Sequence, residues 1–281
     1  MKNVFVVGSG IMGSDIAQLC SQSGYGVSIM DIDEKMLGKA LKKIEWSLNK
    51  LEGKNLLKEK TGDILTRIKA EDTLENAWNA DIVIEAAFEN LKTKHAIFKD
   101  LEHVCRPDTI FGTNTSSIPI TEIASALKSP QRFVGIHFFN PVHKMKLVEI
   151  IKGLTTSDDT AEKAKGFVLS IGKAPVMVNR DSAGFIVNRI NGMAFLEALR
   201  LLEKGVASVE DIDKAIRFGL GNPMGPFELM DLVGLDVVLN ARMGIYNETR
   251  EPNHFPPAIL KSMVKAGYLG RKTGKGFYEY K

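Results

Sequence analysis

The sequence predicts an α/β protein: a doubly wound, mostly parallel sheet covered by helices on both faces, followed by an all-helical domain. Segments with strand-like and helix-like patterns alternate up to residue 182, and strand signals stop from residue 183 onward. Such alternation is typical of parallel sheets whose crossover helices lie on both faces. With 281 residues and typical domains of about 150 residues, we expect two domains, residues 1–182 and residues 183–281.

The composition is that of a folded globular protein. Hydrophobic residues make up 44% and charged residues 25% of the chain, close to the averages for globular domains. The formal net charge of +3 is too small to predict nucleic acid or a membrane surface as the main partner. No secretory signal pattern and no run of about 18 apolar residues occurs, so we predict a cytoplasmic protein. Cys20 and Cys105 lie outside any CxxC spacing, which predicts neither a disulfide framework nor a metal site.

The first domain begins as a βαβ unit. Short apolar runs predict strands over residues 3–7 and 27–31, and a helical apolar stripe predicts a helix over residues 11–23 between them. Further along we expect strands over 81–86, 109–113, 133–138, 146–151 and 174–178, and helices over 92–104, 120–127 and 160–171. In the second domain the periodicity predicts helices over 183–203, 209–219, 226–247 and 256–266.

An inserted segment over residues 34–69 interrupts this alternation. Apolar residues recur at helical spacing in two stretches, around Ile44 and around Ile64, and the segment is too long for an ordinary crossover connection. We therefore predict an inserted helical hairpin, which we call the arm. Residues 35–69 carry ten Lys or Arg against four Asp or Glu, a local charge of +6.

A GxGxxG motif, GSGIMG at residues 8–13, follows the first strand and opens the first helix. In such a turn the glycines allow a tight turn, close approach of a pyrophosphate and close helix packing. Asp31 ends the second strand, 18 positions after the last glycine, where an acid hydrogen-bonds the ribose of NAD and disfavours NADP. Together they predict a Rossmann-type NAD-binding domain rather than a turn that is merely glycine-rich. The loop residues predicted to contact NAD are Gly8, Gly10, Ile11, Met12 and Gly13.

His137 lies at the end of a predicted strand, at the carboxyl edge of the sheet where ligands bind in such folds. Oxidation of an alcohol by a nicotinamide cofactor needs a base for the hydroxyl proton. Glu149 lies in the next apolar run, and an acid is costly to bury unless it is paired. If the two strands are neighbours, Glu149 orients the His137 imidazole and stabilises its charged form. The alternatives are an ordinary hydrogen-bonded histidine and a Glu149 that faces water on an edge strand.

Several further motifs follow the glycine motif and Asp31 in one order. They are ENLKTK at residues 89–94, NTSS at 114–117, HFFNP at 137–141, VE at 148–149, AGFIVNR at 183–189 and GP at 225–226. This order covers essentially the whole chain and resembles the L-3-hydroxyacyl-CoA dehydrogenases; the short length resembles the bacterial 3-hydroxybutyryl-CoA dehydrogenases among them. The resemblance implies NAD-dependent interconversion of 3-hydroxybutyryl-CoA and acetoacetyl-CoA, in a homodimer formed through the C-terminal domain.

The resemblance also implies roles for individual residues. His137 matches the family's general acid/base, and Glu149 matches the acid that orients it. Ser116 and Asn188 match positions that contact the reacting oxygen of the substrate, roles that their spacing alone does not predict. The positions that match cofactor contacts are Glu89, Lys94, Ser116, Asn140 and Lys272.

On their local pattern alone, Glu89 and Lys94 resemble a solvated helix start. Ser47 and Lys54 match positions that, together with Ser116, contact the CoA substrate. Because CoA carries phosphates, the cations of the arm are expected to bind it. A solvated amphipathic hairpin explains most of these cations equally well.

Two other functions stay open at this point. A β-hydroxyacid dehydrogenase acting on a free acid uses a catalytic lysine where this chain has Asn188 and Arg189, and it would not need the arm. A non-enzymatic, crystallin-like protein on the same scaffold would need none of His137, Glu149 or Ser116. The presence of these side chains favours the enzyme.

Overall fold

The computed structural model describes residues 1–280 and divides the chain into two compact units, residues 1–182 and the residues from Ala183 onward. The first unit contains the strands β1 (Asn3–Val7), β2 (Gly26–Met30), β3 (Ile68–Glu71), β4 (Ile82–Glu85), β5 (Ile110–Thr113), β6 (Phe133–Phe138), β7 (Leu147–Ile151) and β8 (Ala174–Val178). They form one sheet with the order β3-β2-β1-β4-β5-β6-β7-β8.

The direction in which the strand order runs changes at β1, which lies between β2 and β4. Ligands bind at such a switch point, at the carboxyl ends of the strands. Neighbouring strands are parallel except for β6 and β7, which are antiparallel. The interior strands β4, β5 and β6 are buried along their whole length, as expected for a sheet with helices on both faces.

Six helices accompany the sheet: α1 (Ile11–Gln22), α2 (Glu34–Glu52), α3 (Thr61–Leu65), α4 (Leu91–Val104), α5 (Ile120–Ala124) and α6 (Asp158–Ser170). Side-chain caps set where several begin, since Asp33, Asn90 and Ser157 accept N–H hydrogen bonds in the first turns of α2, α4 and α6. Apolar residues of α1, α2 and α6 pack with those of the strands in one core. The predicted fold class is confirmed.

The arm contains two helices, as predicted, but the second is shorter than expected. Its first half is α2, which buries one apolar face. Its second half contains only the five-residue α3, because Gly53 ends α2 and Asn55 turns the chain with a left-handed φ of +55°. Ile68 lies in β3, which was not predicted because a four-residue, half-exposed strand shows almost no alternation. The second helical stretch is therefore present but shorter than predicted, and it does not include Ile68.

The second unit contains the helices α7 (Val187–Glu203), α8 (Val209–Leu220), α9 (Pro226–Val233), α10 (Leu235–Thr249) and α11 (Ala258–Lys265). The predicted helix over 226–247 is two helices, since Gly234 adopts a φ of +103° between α9 and α10. Helix α7 begins later than predicted, because Gly184 and Phe185 both have positive φ. Within residues 1–280, no helix has both the length and the apolar character needed to cross a membrane.

Candidate active site

The loop between β1 and α1 has the geometry of a phosphate-binding turn. Gly8 has a φ of +95°, and a Cβ on it would lie 2.7 Å from the Ala86 carbonyl oxygen. A Cβ on Gly13 would lie 1.9 Å from the Gly8 carbonyl oxygen. Around Gly10, by contrast, no atom lies within 4 Å of such a Cβ, and no side chain caps α1. The open space over Gly10 and the uncapped first N–H groups of α1 fit the pyrophosphate of a dinucleotide.

Asp31 follows β2 and is bonded to the same loop. Its Oδ2 accepts hydrogen bonds from the N–H and the hydroxyl of Ser9, each at 2.7 Å, and its Oδ1 accepts one from the Asp33 N–H at 3.0 Å. Partial burial acts to raise the pKa of Asp31, but these hydrogen bonds outweigh it and hold the pKa below its ordinary value. A charged carboxylate here fits a ribose hydroxyl and repels a 2′-phosphate.

His137 and Glu149 lie opposite each other on the antiparallel strands β6 and β7. His137 Nδ1 is 2.8 Å from Glu149 Oε2, and the two side chains are 6% and 0% exposed. A carboxylate at this distance accepts a hydrogen bond from the Nδ1–H group and orients the ring, so that Nε2 is the nitrogen able to gain or lose a proton. The alternative in which Glu149 faces water on an edge strand is wrong, because β8 pairs with the other edge of β7 and the Glu149 side chain is 0% exposed.

The loop after β5, residues 114–117, carries Ser116 and is bonded to Glu89. Four groups donate hydrogen bonds to Glu89 Oε1: the Thr115 hydroxyl at 2.5 Å, the Ser116 N–H at 3.2 Å, the Ser117 N–H at 3.2 Å and the Ser117 hydroxyl at 2.8 Å. Burial acts to raise the pKa of Glu89, but Lys94 and the hydroxyl donors outweigh it and hold the pKa below its ordinary value of 4.5. Ser116 itself is exposed, and its backbone N–H is held by the Glu89 carboxylate.

Lys94 is enclosed by carboxylates. Its Nζ lies 2.7 and 2.8 Å from the two carboxylate oxygens of Glu85 and 3.3 Å from Glu89 Oε2, and the side chain is 1% exposed. Glu85 is 0% exposed and also accepts hydrogen bonds from the Thr113 hydroxyl at 2.6 Å and the Ala87 N–H at 2.7 Å. The expectation of a solvated helix start is therefore wrong for Lys94. Its direct contact with a cofactor stays a prediction.

The loop after β5 is also bonded to the strand that carries His137. Asn114 Oδ1 accepts a hydrogen bond from the Phe138 N–H at 2.8 Å, next to His137. Asn140, a predicted cofactor contact, is exposed three residues after His137. The structure thus brings His137, Glu149 and the Ser116 loop together at one edge of the sheet.

The remaining predicted residues lie on the arm and in the second unit. Ser47 is half-buried on α2, and Lys54 is exposed just after its end. Asn188 is the second residue of α7, and its carbonyl oxygen accepts a hydrogen bond at 2.8 Å from Arg242, which is 3% exposed. Lys272 is paired with Asp236. The substrate and cofactor contacts predicted for these residues stay predictions.

Comparison with known proteins decides the family. Residues 3–182 match the family model of the 3-hydroxyacyl-CoA dehydrogenase NAD-binding domain, and residues 184–280 match that of the 3-hydroxyacyl-CoA dehydrogenase C-terminal domain. The chain belongs to the 3-hydroxyacyl-CoA dehydrogenase family. Its first unit is the NAD-binding domain of that family, and NAD is the cofactor, as the glycine loop and Asp31 predict.

Relatives of this 3-hydroxyacyl-CoA dehydrogenase family member match its full length. A probable 3-hydroxybutyryl-CoA dehydrogenase of Bacillus subtilis is 41% identical over 281 residues, which cover 100% of this chain and 98% of the relative. Human mitochondrial hydroxyacyl-coenzyme A dehydrogenase is 44% identical, covering 100% and 92%. The solved structure of (S)-3-hydroxybutyryl-CoA dehydrogenase from Ralstonia eutropha matches with a TM-score of 0.97 at 40% identity, covering 100% and 99%. The resemblance inferred from the ordered motifs is confirmed.

Two residues of this 3-hydroxyacyl-CoA dehydrogenase site were missed by the sequence analysis. Glu85 ends the apolar run of β4, the same signal that singled out Glu149, and it is equally buried. Asn114 was noted only as a letter of the NTSS motif, although its side chain joins the Ser116 loop to β6. An acid inside an apolar, strand-like run is therefore a sequence signal for a buried site residue. The role of Asn114 has no comparable signal in the sequence.

Proposed function

We propose that this protein catalyses the NAD-dependent interconversion of 3-hydroxybutyryl-CoA and acetoacetyl-CoA. The buried pair of His137 and Glu149, 2.8 Å apart at the ligand-binding edge of the sheet, carries the proposal because it supplies an oriented acid/base group. The relatives from Bacillus subtilis and Ralstonia eutropha, which are named for 3-hydroxybutyryl-CoA, support this substrate pair.

The His137 imidazole carries the proton. When bound at the glycine loop and Asp31, NAD would supply the hydride transfer at C3 of the acyl group, in either direction of the reaction. In the reducing direction His137 donates its Nε2 proton to the oxygen that becomes the hydroxyl, and in oxidation the neutral ring removes that proton. Glu149 accepts the Nδ1 hydrogen bond and stabilises the imidazolium form. We further propose, from the family resemblance, that Ser116 and Asn188 donate hydrogen bonds to the same oxygen.

Cofactor binding is proposed to begin at the glycine loop, with the pyrophosphate over Gly10 and the ribose at Asp31. A carboxylate at Asp31 favours NAD over NADP because a 2′-phosphate would bring like charges together. The other loop contacts are proposed for Gly8, Ile11, Met12 and Gly13. Further proposed contacts, which rest on the family resemblance, are Glu89, Ser116, Asn140 and Lys272. Lys94 matches a cofactor-contacting position of the family as well, but its ammonium is bonded to Glu85 and paired with Glu89.

The arm is proposed to bind the phosphates of CoA. Its local charge of +6 attracts anions, and exposed Lys54 and half-buried Ser47 lie at and near the C-terminal end of α2. A free acid such as acetoacetate carries a carboxylate but none of the CoA phosphates that this surface is proposed to bind. The arm therefore supports a CoA thioester over a free acid as the substrate.

The proposed role of His137 is tested by the variant His137→Gln. Turnover of acetoacetyl-CoA should fall by about 10²- to 10⁴-fold, the usual contribution of a general acid/base, while the dissociation constant of NADH, measured by fluorescence titration, changes little. His103→Gln, an exposed histidine on α4, is the matched control and should keep full turnover. A turnover that stays at the wild-type level at saturating NADH, with only the NADH affinity weakened, would contradict the role.

We also propose a homodimer formed through the second unit. Several large apolar side chains of this unit are exposed, at 77% for Phe218, 71% for Leu220 and 48% for Val237, and a second copy would cover apolar area of this kind. Sedimentation velocity should give about twice the chain mass of 31.0 kDa. The cytoplasm stays our proposed compartment, consistent with the free thiols of Cys20 and Cys105.

A further inference from the structure

We infer that Lys94 is a positioning residue, which acts through Glu89 on the loop that carries Ser116. The inference rests on the proposed function, because it assigns a role within the same site. The inference is carried by one arrangement of side chains. The buried ammonium of Lys94 lies between the carboxylate of Glu85 and that of Glu89, and Glu89 is hydrogen-bonded to the Ser116 loop.

Glu85 is the anchor of this arrangement. Each of its carboxylate oxygens accepts two hydrogen bonds: Oε1 from Lys94 and the Ala87 N–H, and Oε2 from Lys94 and the Thr113 hydroxyl. The side chain is 0% exposed. Separating a buried ion pair leaves an uncompensated charge, which is strongly unfavourable. Lys94 is therefore held against Glu85.

The three N–H donors of the Lys94 ammonium match three carboxylate oxygens. Lys94 Nζ donates hydrogen bonds to both oxygens of Glu85 and forms an ion pair with Glu89 Oε2 at 3.3 Å. A direct contact with a cofactor would have to displace one of these carboxylates. The geometry therefore favours a role for Lys94 through Glu89.

Glu89 passes this constraint to the loop. Its Oε2 faces Lys94, while its Oε1 accepts the N–H groups of Ser116 and Ser117 and the hydroxyls on either side of Ser116. The start of the loop depends on Glu85 as well, since the Asn114 N–H donates to the Glu85 carbonyl oxygen at 2.7 Å. The Glu89 carboxylate thus holds residues 115–117, while the backbone of Glu85 holds residue 114. Lys94 links the carboxylate of Glu85 to that of Glu89.

Loss of the buried pair should move the Ser116 loop while leaving the glycine loop unchanged. A misplacement of about 1 Å in a positioning group can cost about 100-fold in rate. We therefore expect a lower kcat with little change in NADH affinity. A lysine that contacts the cofactor directly would give the opposite result, a weaker NADH affinity with kcat retained at saturating NADH.

The test compares three variants with the wild type. The double variant Glu85→Gln/Lys94→Met removes both charges, so no unpaired charge is buried; the others are Glu89→Gln and the triple combination. Lys99→Met, an exposed lysine on α4, is the matched control. The measurements are the melting temperature, the NADH dissociation constant, kcat with acetoacetyl-CoA and amide hydrogen exchange at residues 116 and 117.

We expect the double variant to lose about 10- to 100-fold in kcat, to bind NADH within about threefold of wild type, and to exchange amides 116 and 117 faster. The triple variant should lose little more kcat than Glu89→Gln, because residues acting through one another are not additive. If the double variant does not fold, Glu85→Gln alone keeps Lys94 paired with Glu89 and should show the same faster exchange with NADH affinity retained.

Additive losses of kcat, unchanged exchange at residues 116 and 117, or an NADH affinity weakened tenfold with kcat intact would each overturn the inference. Wild-type turnover of acetoacetyl-CoA tests the proposed function separately. If the wild type shows no turnover, the amide exchange of the double variant still decides whether Lys94 positions the loop.

Discussion

Single residues at the sheet edge gain their properties from a few neighbouring groups. His137 would be an ordinary strand residue without Glu149, whose Oε2 lies 2.8 Å from its Nδ1 and which has no exposure to water. Asp31 holds the glycine loop through Ser9, because its Oδ2 accepts hydrogen bonds from both the N–H and the hydroxyl of Ser9. In both cases a carboxylate fixes a neighbour, which keeps the site ordered before any ligand arrives.

Gly10→Ala should weaken NADH binding without destabilising the protein. A Cβ at Gly10 meets no atom within 4 Å, so the fold accepts it, but the methyl group lies where a pyrophosphate must approach the backbone. We expect the NADH dissociation constant to rise by about tenfold or more, which is about 1.4 kcal/mol, with the melting temperature unchanged.

Gly38→Ala on α2 is the matched control, since a Cβ there also meets no atom within 4 Å. It should stabilise the helix by about 0.5–1 kcal/mol and leave NADH affinity as in the wild type. Equal NADH affinity in the two alanine variants would contradict the assignment of the glycine loop.

Glu89→Gln should change the pH dependence of stability in the acid range. The pKa of Glu89 is held below its ordinary value of 4.5, so the folded state binds the proton less readily than the unfolded state, and the charged form contributes stability that is fully present above pH 4.5. That contribution is lost as pH falls through the lower, folded pKa. Melting temperatures from pH 7 downward should show wild type and variant converging below pH 4.5; a constant difference would count against the charged carboxylate.

Whole elements carry the next level of control. The antiparallel pairing of β6 and β7 sets His137 opposite Glu149, and a shift of one residue would turn every side chain of β7 to the other face. Helix α2 presents a buried face to α1 and α3 and an exposed face rich in lysine. The first arrangement places the chemistry, and the second provides the basic surface.

Lys54→Met tests the arm. We expect KM for acetoacetyl-CoA to rise about fivefold, equivalent to about 1 kcal/mol for one exposed charge on a phosphate, with kcat retained and the difference shrinking at high salt. Lys163→Met, an exposed lysine on α6, should leave KM unchanged. A KM that changes neither with the Lys54→Met substitution nor with ionic strength would contradict a role of the arm in substrate binding.

How well each element was predicted follows from how local its determinants are. The ends of β1, β6 and β8 agree with the prediction because their apolar runs are bounded by clear breaks. Strand β3 at the end of the arm and the break at Gly234 were missed, since a short edge strand and a single glycine inside an apolar stretch give weak signals.

The same argument applies to the candidate site. A buried acid must be paired, so the sequence alone led to Glu149 and His137. Ser116 and Asn188 required the family resemblance, because a polar residue in a loop or on a helix has no distinctive pattern. The environment of Lys94 depends on Glu85, nine positions away, and on Thr113 in another strand, contacts that only the fold reveals.

At the scale of the whole molecule, the reactivity of the two buried cysteines reports whether the first unit is folded. Burial raises the pKa of the Cys20 thiol to about 12 and that of Cys105 to about 11, so at pH 8 both are protonated and shielded. We expect Ellman's reagent to label neither thiol in the native protein and both in denaturant. Saturating NADH should slow the labelling at intermediate denaturant, because it binds only the folded state; fast labelling that NADH does not affect would contradict this.

The most direct test of the proposed reaction is the initial rate of NADH oxidation by the purified protein with acetoacetyl-CoA, measured beside free acetoacetate at equal concentration. We predict rapid oxidation with the thioester and almost none with the free acid, because the acid/base pair acts on the ketone while the arm binds the CoA phosphates. Comparable rates with both would contradict the CoA assignment and favour a free hydroxyacid as substrate. No rate with either would contradict the enzymatic role itself.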